Sequence, residues 1–239
     1  NGRGHRSPMS WDPDAEYRVV EQPPTYTYDL RPTTLGYQTV RARTRHPFFS
    51  QVELRHIGIA VAVLIAAFTM VIMDSYTTIV AALLVSVLSV LLGFFVHEMA
   101  HKVVARRYGC WAEFRADFMG LVLALMVSFF GVLFAAPGAV YIVGHVNREQ
   151  NGKISLAGPG SNILVAVICA PFALMSLSFV PGAVEGIAFG LYYFSTFLAL
   201  FNMLPFGPLD GRKIWAWNKP IYMATMAAAV SMFLLAWVL

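Results

Sequence analysis

Leu88-Ser89-Val90-Leu91-Leu92-Gly93-Phe94-Phe95-Val96 runs without a charge into His97-Glu98-Met99-Ala100-His101. On an α-helix, residues four apart project from one face, about 40° apart around the axis. His97 and His101 therefore have the spacing that two imidazoles need to share one Zn²⁺, with Glu98 alongside to take a proton from water. The residues leading into the motif suit hydrocarbon rather than the amphipathic helix of a soluble protein. Ionisable groups inside a membrane helix are costly and point to function by default. The stretch reads as a membrane helix that carries a metal site.

Composition agrees with that reading. The chain has 239 residues, 58% hydrophobic and only 13% charged, where a soluble domain carries about a quarter. The formal net charge is +4, and eight of the 17 Lys and Arg lie before the first long apolar run, as Arg3, Arg6, Arg18, Arg31, Arg41, Arg43, Arg45 and Arg55. By the positive-inside rule, residues 1–54 form a cytoplasmic N-terminal tail and residues 55–239 the transmembrane domain, with its core at 77–215. Asp12, Asp14, Glu16, Glu21, Asp29 and Glu53 are interleaved with those cations, so no nucleic-acid partner is expected. The tail is rich in Pro, with short strands expected at most at Thr25–Leu30 and Gly36–Ala42. Of the two cysteines, Cys110 follows the motif helix and Cys169 sits in an apolar run. Neither a disulfide nor a cysteine metal site is expected.

The fold class expected is an α-helical integral membrane protein with five to six transmembrane helices, a short membrane-associated β-hairpin and a re-entrant segment. The first helix covers 57–73. The second runs from near Tyr76 to about Arg107, and Lys102, Arg106 and Arg107 return it to the cytoplasmic side, where the site opens. The apolar run 118–136 either spans or turns back. Turning back keeps Arg148, Lys153, Arg212, Lys213 and Lys219 inside and puts Asp210 at the same face as the histidines. That reading is adopted. Residues 139–146 alternate and precede Asn151-Gly152 and 153–156, which together read as a β-hairpin. Helices are expected at 157–180, 186–205 and 220–239.

A catalytic zinc site needs a third protein ligand and one open position. Asp210, in Leu204-Pro205-Phe206-Gly207-Pro208-Leu209-Asp210-Gly211, is the best candidate, a carboxylate at membrane depth where an apolar helix has just broken at Pro205. The competing role for Asp210 is a helix N-cap.

Three motifs, His97 through His101, Ala157-Gly158-Pro159-Gly160-Ser161-Asn162, and Asn202 through Leu209-Asp210-Gly211, occur in one order and span about half the chain. In them the chain resembles the site-2 protease family of intramembrane zinc metalloproteases. The resemblance implies a core of three membrane helices and one catalytic Zn²⁺ held by His97, His101 and Asp210. It implies cleavage of a transmembrane protein substrate within the lipid bilayer, as in regulated intramembrane proteolysis, with Glu98 moving the proton. It further implies that Asn202 holds the substrate carbonyl or its oxyanion, and that a strand bearing Gly138, Val140 and Ile142 receives the substrate by β-addition. Asn162 stays open between substrate binding and a packing or capping role. The chain departs from the family pattern in its longer insert at 118–136 and in a loop at 137–155 too short for a PDZ domain.

Other functions fit less well. A desaturase-type di-iron oxidase needs several histidine clusters and this chain has one pair on a membrane helix. A transporter would show repeated halves, and none is found. A catalytically inactive relative that binds membrane segments would be expected to have lost Glu98 or a ligand, and all four residues are present.

Overall fold

The computed structural model describes residues 29–33, 36–40, 47–75, 78–132, 137–174 and 181–238. Its contacts divide between Asn1–Phe48 and Phe49–Leu239. In the first unit, β1 (Asp29–Thr33) pairs antiparallel with β2 (Gly36–Val40). These overlap the two strands expected in the tail, and residues 25–28 and 41–42 of that expectation lie outside the described ones.

The second unit is built on five helices long and apolar enough to cross a membrane. The first, α1 (Gln51–Ile72), starts ahead of its apolar run because Ser50 caps it: the Ser50 hydroxyl accepts from Glu53 N–H at 3.1 Å, and an acid in the first turn suits the helix dipole. The second span, Ile79–Arg107, is continuous. It consists of α2 (Ile79–Ser89), a π-helical stretch at Val90–Phe95, and α3 (Val96–Arg107), which carries the histidine motif. After it come β3 (Trp111–Ala116), α4 (Phe118–Ser128) and β4 (Gly138–Val143). The remaining spans are α5 (Arg148–Leu174), α6 (Gly182–Asn202) and α8 (Lys219–Val238), with the short α7 (Asp210–Trp217) between the last two.

The structure decides the fate of the apolar run after β3. Strands β3 and β4 form an antiparallel ribbon in which Ala116 faces Gly138. Just beyond, Asp117 N–H donates to the Pro137 carbonyl at 2.9 Å. A chain that leaves the ribbon at Asp117 and rejoins it at Pro137 has not crossed. The helix inside the excursion, α4, has 11 residues, or about 16 Å, roughly half the hydrocarbon thickness. With no crossing there, alternation of the spans puts the start of α1, the end of α3, the start of α5 and all of α7 at one membrane face. Arg55, Arg106, Arg107, Arg148, Lys153, Arg212 and Lys213 belong to those ends, and Lys219 begins α8 from the same face.

The hairpin expected around Asn151-Gly152 does not form. Residues 148–156 belong to α5, and 138–143 pairs upstream with β3 instead. Two local features explain the difference. Asn147 and Gln150 cap each other, the Asn147 side-chain oxygen accepting from Gln150 N–H at 2.8 Å and Gln150 Oε1 from Asn147 N–H at 3.1 Å, which starts a helix. Gly152 meets the Trp217 ring, and a Cβ there would overlap it. That glycine serves a close helix approach rather than a turn.

The core holds α3 in place. Leu64 and Phe68 of α1, Phe94 just before the motif, Phe114 of β3, and Phe194 and Leu198 of α6 are buried together. Their rings meet in pairs, Phe68–Phe194 at 4.9 Å and Phe94–Phe114 at 5.6 Å between centroids. Such pairs contribute about 0.5–1.5 kcal/mol beyond area burial.

Candidate active site

On α3 the two motif histidines face each other, with His97 Nε2 3.0 Å from His101 Nε2. Asp210 Oδ2 lies 3.0 Å from His101 Nε2 and 3.5 Å from His97 Nε2. All three residues are buried. Four ligands placed tetrahedrally about zinc at bond lengths near 2.0–2.1 Å are about 3.3 Å from one another, so the three spacings match a zinc donor set. Two imidazole lone pairs and a carboxylate oxygen brought this close repel each other unless a cation lies between them. The residues fit a metal ion. Among the described residues no other cluster of this kind occurs.

Asp210 reaches the histidines because α6 stops and the chain doubles back. Met203 caps α6 at its C-terminus, and Gly211 packs against the Met203 carbonyl so closely that a Cβ would overlap it. Leu209, not Asp210, occupies the N-cap of α7 and makes no side-chain cap bond. The cap role weighed for Asp210 is therefore not the one it takes. Lys213 Nζ stands 3.6 Å from the other oxygen, Oδ1.

The back of the site is α5. His101 Nδ1 is 2.7 Å from the Ile154 carbonyl, and His97 Nδ1 is 3.1 Å from the Asn162 side-chain amide. Gly158 lies between them. A Cβ on it would stand 2.5 Å from His101 Cε1 and 2.6 Å from His97 Cε1, so only glycine lets α5 approach both rings.

In front is a cavity of about 640 Å³, lined by His97, Glu98, His101, Asp210, Asn202 and by Gly138, Val140 and Ile142 of β4. Glu98 is 7% exposed, and its Oε2 has no hydrogen-bond partner. Asn202 ends α6 and donates one amide hydrogen to the Leu198 carbonyl at 3.0 Å, which leaves its second N–H for another acceptor. Asn162 is fully buried and lies outside the cavity lining. It is the one expected site residue that the fold places behind His97, His101 and Asp210 rather than before them.

Backbone direction in the ribbon follows from the side chains that cover β3. Phe114 N–H donates to Glu53 Oε1 at 3.0 Å and Ala116 N–H to His56 Nδ1 at 3.1 Å, both from α1. Phe114 and Ala116 thus turn their amides away from β4. Their register partners Val140 and Gly138, and by alternation Ile142, turn theirs away from β3. The N–H and C=O groups of these three residues point to the uncovered edge of β4.

Two contributors were not visible as such in the sequence. Glu53 and Lys102 form a fully buried ion pair joining α1 to α3 directly after His101. His56, near the start of α1, accepts from Ala116 N–H and caps the end of β3. The local signal available was Lys102 itself, a cation in the first turn after the motif with no matching polar face.

Comparison with known proteins extends the geometry. No family model and no solved structure matches the chain. Over 131 residues, 52% of this chain, it is 30% identical to "Putative zinc metalloprotease Rip3" of Mycobacterium tuberculosis, of which it spans 28%. Over 180 residues, 73% of this chain and 88% of the relative, it is 42% identical to "Putative zinc metalloprotease MJ0611" of Methanocaldococcus jannaschii. This likeness covers most of both chains, and His97, His101 and Asp210 converge in space from motifs that lie far apart in sequence; the chain belongs to the site-2 protease family.

Proposed function

We propose that the protein is a zinc endopeptidase that cleaves the transmembrane segment of a membrane-protein substrate inside the bilayer. One observation carries the reading. Three buried metal-binding side chains, an unpartnered glutamate and an uncovered strand edge share one cavity at the end of a membrane helix. The names of the two relatives agree with zinc and with peptide hydrolysis.

His97, His101 and Asp210 would hold the ion, which would supply Lewis acidity and lower the pKa of water at the site toward neutral. Glu98, buried beside His97, takes the proton from the attacking water and passes it to the leaving amine. Asn202 offers its second amide hydrogen to the developing oxyanion, a kind of contact worth roughly 3–4 kcal/mol in well-studied hydrolases. A transmembrane helix has no free backbone hydrogen bonds to offer a protease. Unwound into a strand, it exposes N–H and C=O groups that Gly138, Val140 and Ile142 are oriented to receive. The gathering of basic residues at one face supports, by the positive-inside rule, a cell-membrane protein with a cytoplasmic cavity mouth and a cytoplasmic tail at residues 1–54. An inactive relative would bind segments without cutting them.

The test is cleavage of a membrane-spanning test substrate by the purified protein in detergent. Glu98→Gln is expected to abolish cleavage while zinc content stays at one per chain, and Asp210→Ala to lose the zinc. Cleavage by Glu98→Gln at the wild-type rate would sink the mechanism.

A further inference from the structure

We infer that Asn162 is a positioning residue for His97, and that it faces the imidazole with its carbonyl oxygen so that His97 Nε2 is left free for the metal. The inference rests on the zinc reading of His97, His101 and Asp210, and not on peptide cleavage.

Ile154, Gly158 and Asn162 recur at steps of four on α5, which makes them one stripe of that helix. His97 and His101 stand at the same step on α3, and the pairings His101–Ile154 and His97–Asn162 run antiparallel. The His101 end settles its own tautomer. A backbone carbonyl only accepts, so with Nδ1 2.7 Å from the Ile154 oxygen the proton sits on Nδ1. In the neutral ring that a metal ligand requires, Nε2 then turns a lone pair toward Asp210 and His97.

His97 Nε2 lies among the same atoms, 3.0 Å from His101 Nε2 and 3.5 Å from Asp210 Oδ2. To ligate there it must also be unprotonated, and Nδ1 must then carry the hydrogen. The group facing Nδ1 is the Asn162 amide at 3.1 Å. An NH₂ in that position would set donor against donor. An oxygen would accept the Nδ1 hydrogen and hold the ring in the ligating tautomer. The two ends of an amide are nearly the same shape and exchange by a half-turn about the last side-chain bond. With the nitrogen toward the ring, Oδ1 is buried without a partner. That orphan alone does not choose between the two orientations, because the half-turn leaves the nitrogen in its place. The metal chooses, since only one orientation leaves both Nε2 atoms able to bind it. Asn162 is fully buried and outside the cavity lining, which favours a role through His97 over one through substrate contact.

The experiment measures zinc affinity of the full chain in detergent, by competition with a chromophoric chelator and with no substrate present. Asn162→Leu keeps the branched heavy-atom shape and removes the acceptor, and is expected to weaken zinc binding about 10–100-fold. Asn162→Asp presents only oxygens, and is expected to bind zinc at least as tightly as wild type. With Co²⁺ in place of zinc, the visible absorption of the bound ion is expected to change in the leucine variant and to persist in the aspartate one. Should Asn162→Leu not fold, the aspartate variant decides alone: unchanged or tighter zinc binding supports the oxygen-facing orientation, and weaker binding overturns it. Wild-type zinc affinity in a folded Asn162→Leu protein also overturns it. The protease reading fails on a different result, cleavage by Glu98→Gln, which leaves these affinities untouched.

Discussion

The two long edges of the β3–β4 ribbon have the same backbone chemistry and opposite surroundings. Along β3, outward amides are satisfied by side chains of α1, Glu53 for Phe114 and His56 for Ala116. Along β4, the corresponding groups of Gly138, Val140 and Ile142 face a cavity. An open strand edge invites pairing with any extended chain, and proteins ordinarily cover or blunt it. Here one edge is covered with a buried carboxylate, itself neutralised by Lys102, and the other faces the cavity that His97, His101 and Asp210 line. The difference is that the ribbon is anchored to α1 on one side and keeps the outward backbone groups of β4 unpaired with β3 on the other.

The covered edge is where substitution should cost most. Glu53→Ala strands the buried Lys102 charge and the Phe114 amide together, and is expected to lower stability by about 3–5 kcal/mol, read by denaturant unfolding in detergent. Replacing both charges, Glu53→Leu with Lys102→Met, should recover much of that loss, because an apolar pair needs no counter-charge. If the single and double variants unfold alike, the ion pair is not what anchors β3. Gly138→Ala comes next. Its φ of +146° disfavours a side chain, and a Cβ would lie 2.8 Å from Phe114 Cζ, so a loss of about 1–3 kcal/mol is expected.

At the open edge the balance should reverse, with activity moving more than stability. Val140→Pro removes an amide that β3 does not use. It is expected to raise KM for a transmembrane peptide and lower kcat/KM about tenfold, the equivalent of one hydrogen bond of about 1.4 kcal/mol, while the unfolding midpoint shifts little. A Val140→Pro protein that cleaves normally would remove strand addition from the mechanism. The smallest effect belongs to His56→Phe, which leaves Ala116 N–H without its acceptor and should cost about 1 kcal/mol or less in stability. Measured beside Val140→Pro, it tests whether the two edges differ in kind.

Much of the site was legible before any coordinates. His97, Glu98 and His101 stand on one helix face wherever that helix goes, and a carboxylate after a broken apolar helix has few other uses. The spans were legible for a similar reason, since lipid demands long uninterrupted apolar runs. The ribbon was not. Residues 139–146 showed the alternation of a strand, but Asn151-Gly152 supplied a turn signal that a capping box and the Trp217 contact override. Asn162 was equally opaque, because nothing in Ser161-Asn162 shows that it will meet His97 from a helix that approaches only where Gly158 allows.

The sequence by itself determined the pair of histidines one helical turn apart, the glutamate beside them and the long apolar runs, because each depends on helical period or on the hydropathy of a continuous stretch. Only the tertiary structure decided that the run after β3 turns back, that β4 pairs with β3, which edge of the ribbon stays open and which side chain stands behind each histidine. Those outcomes are set by hydrogen bonds and close contacts between residues far apart in the chain, and no local pattern encodes a partner it does not touch.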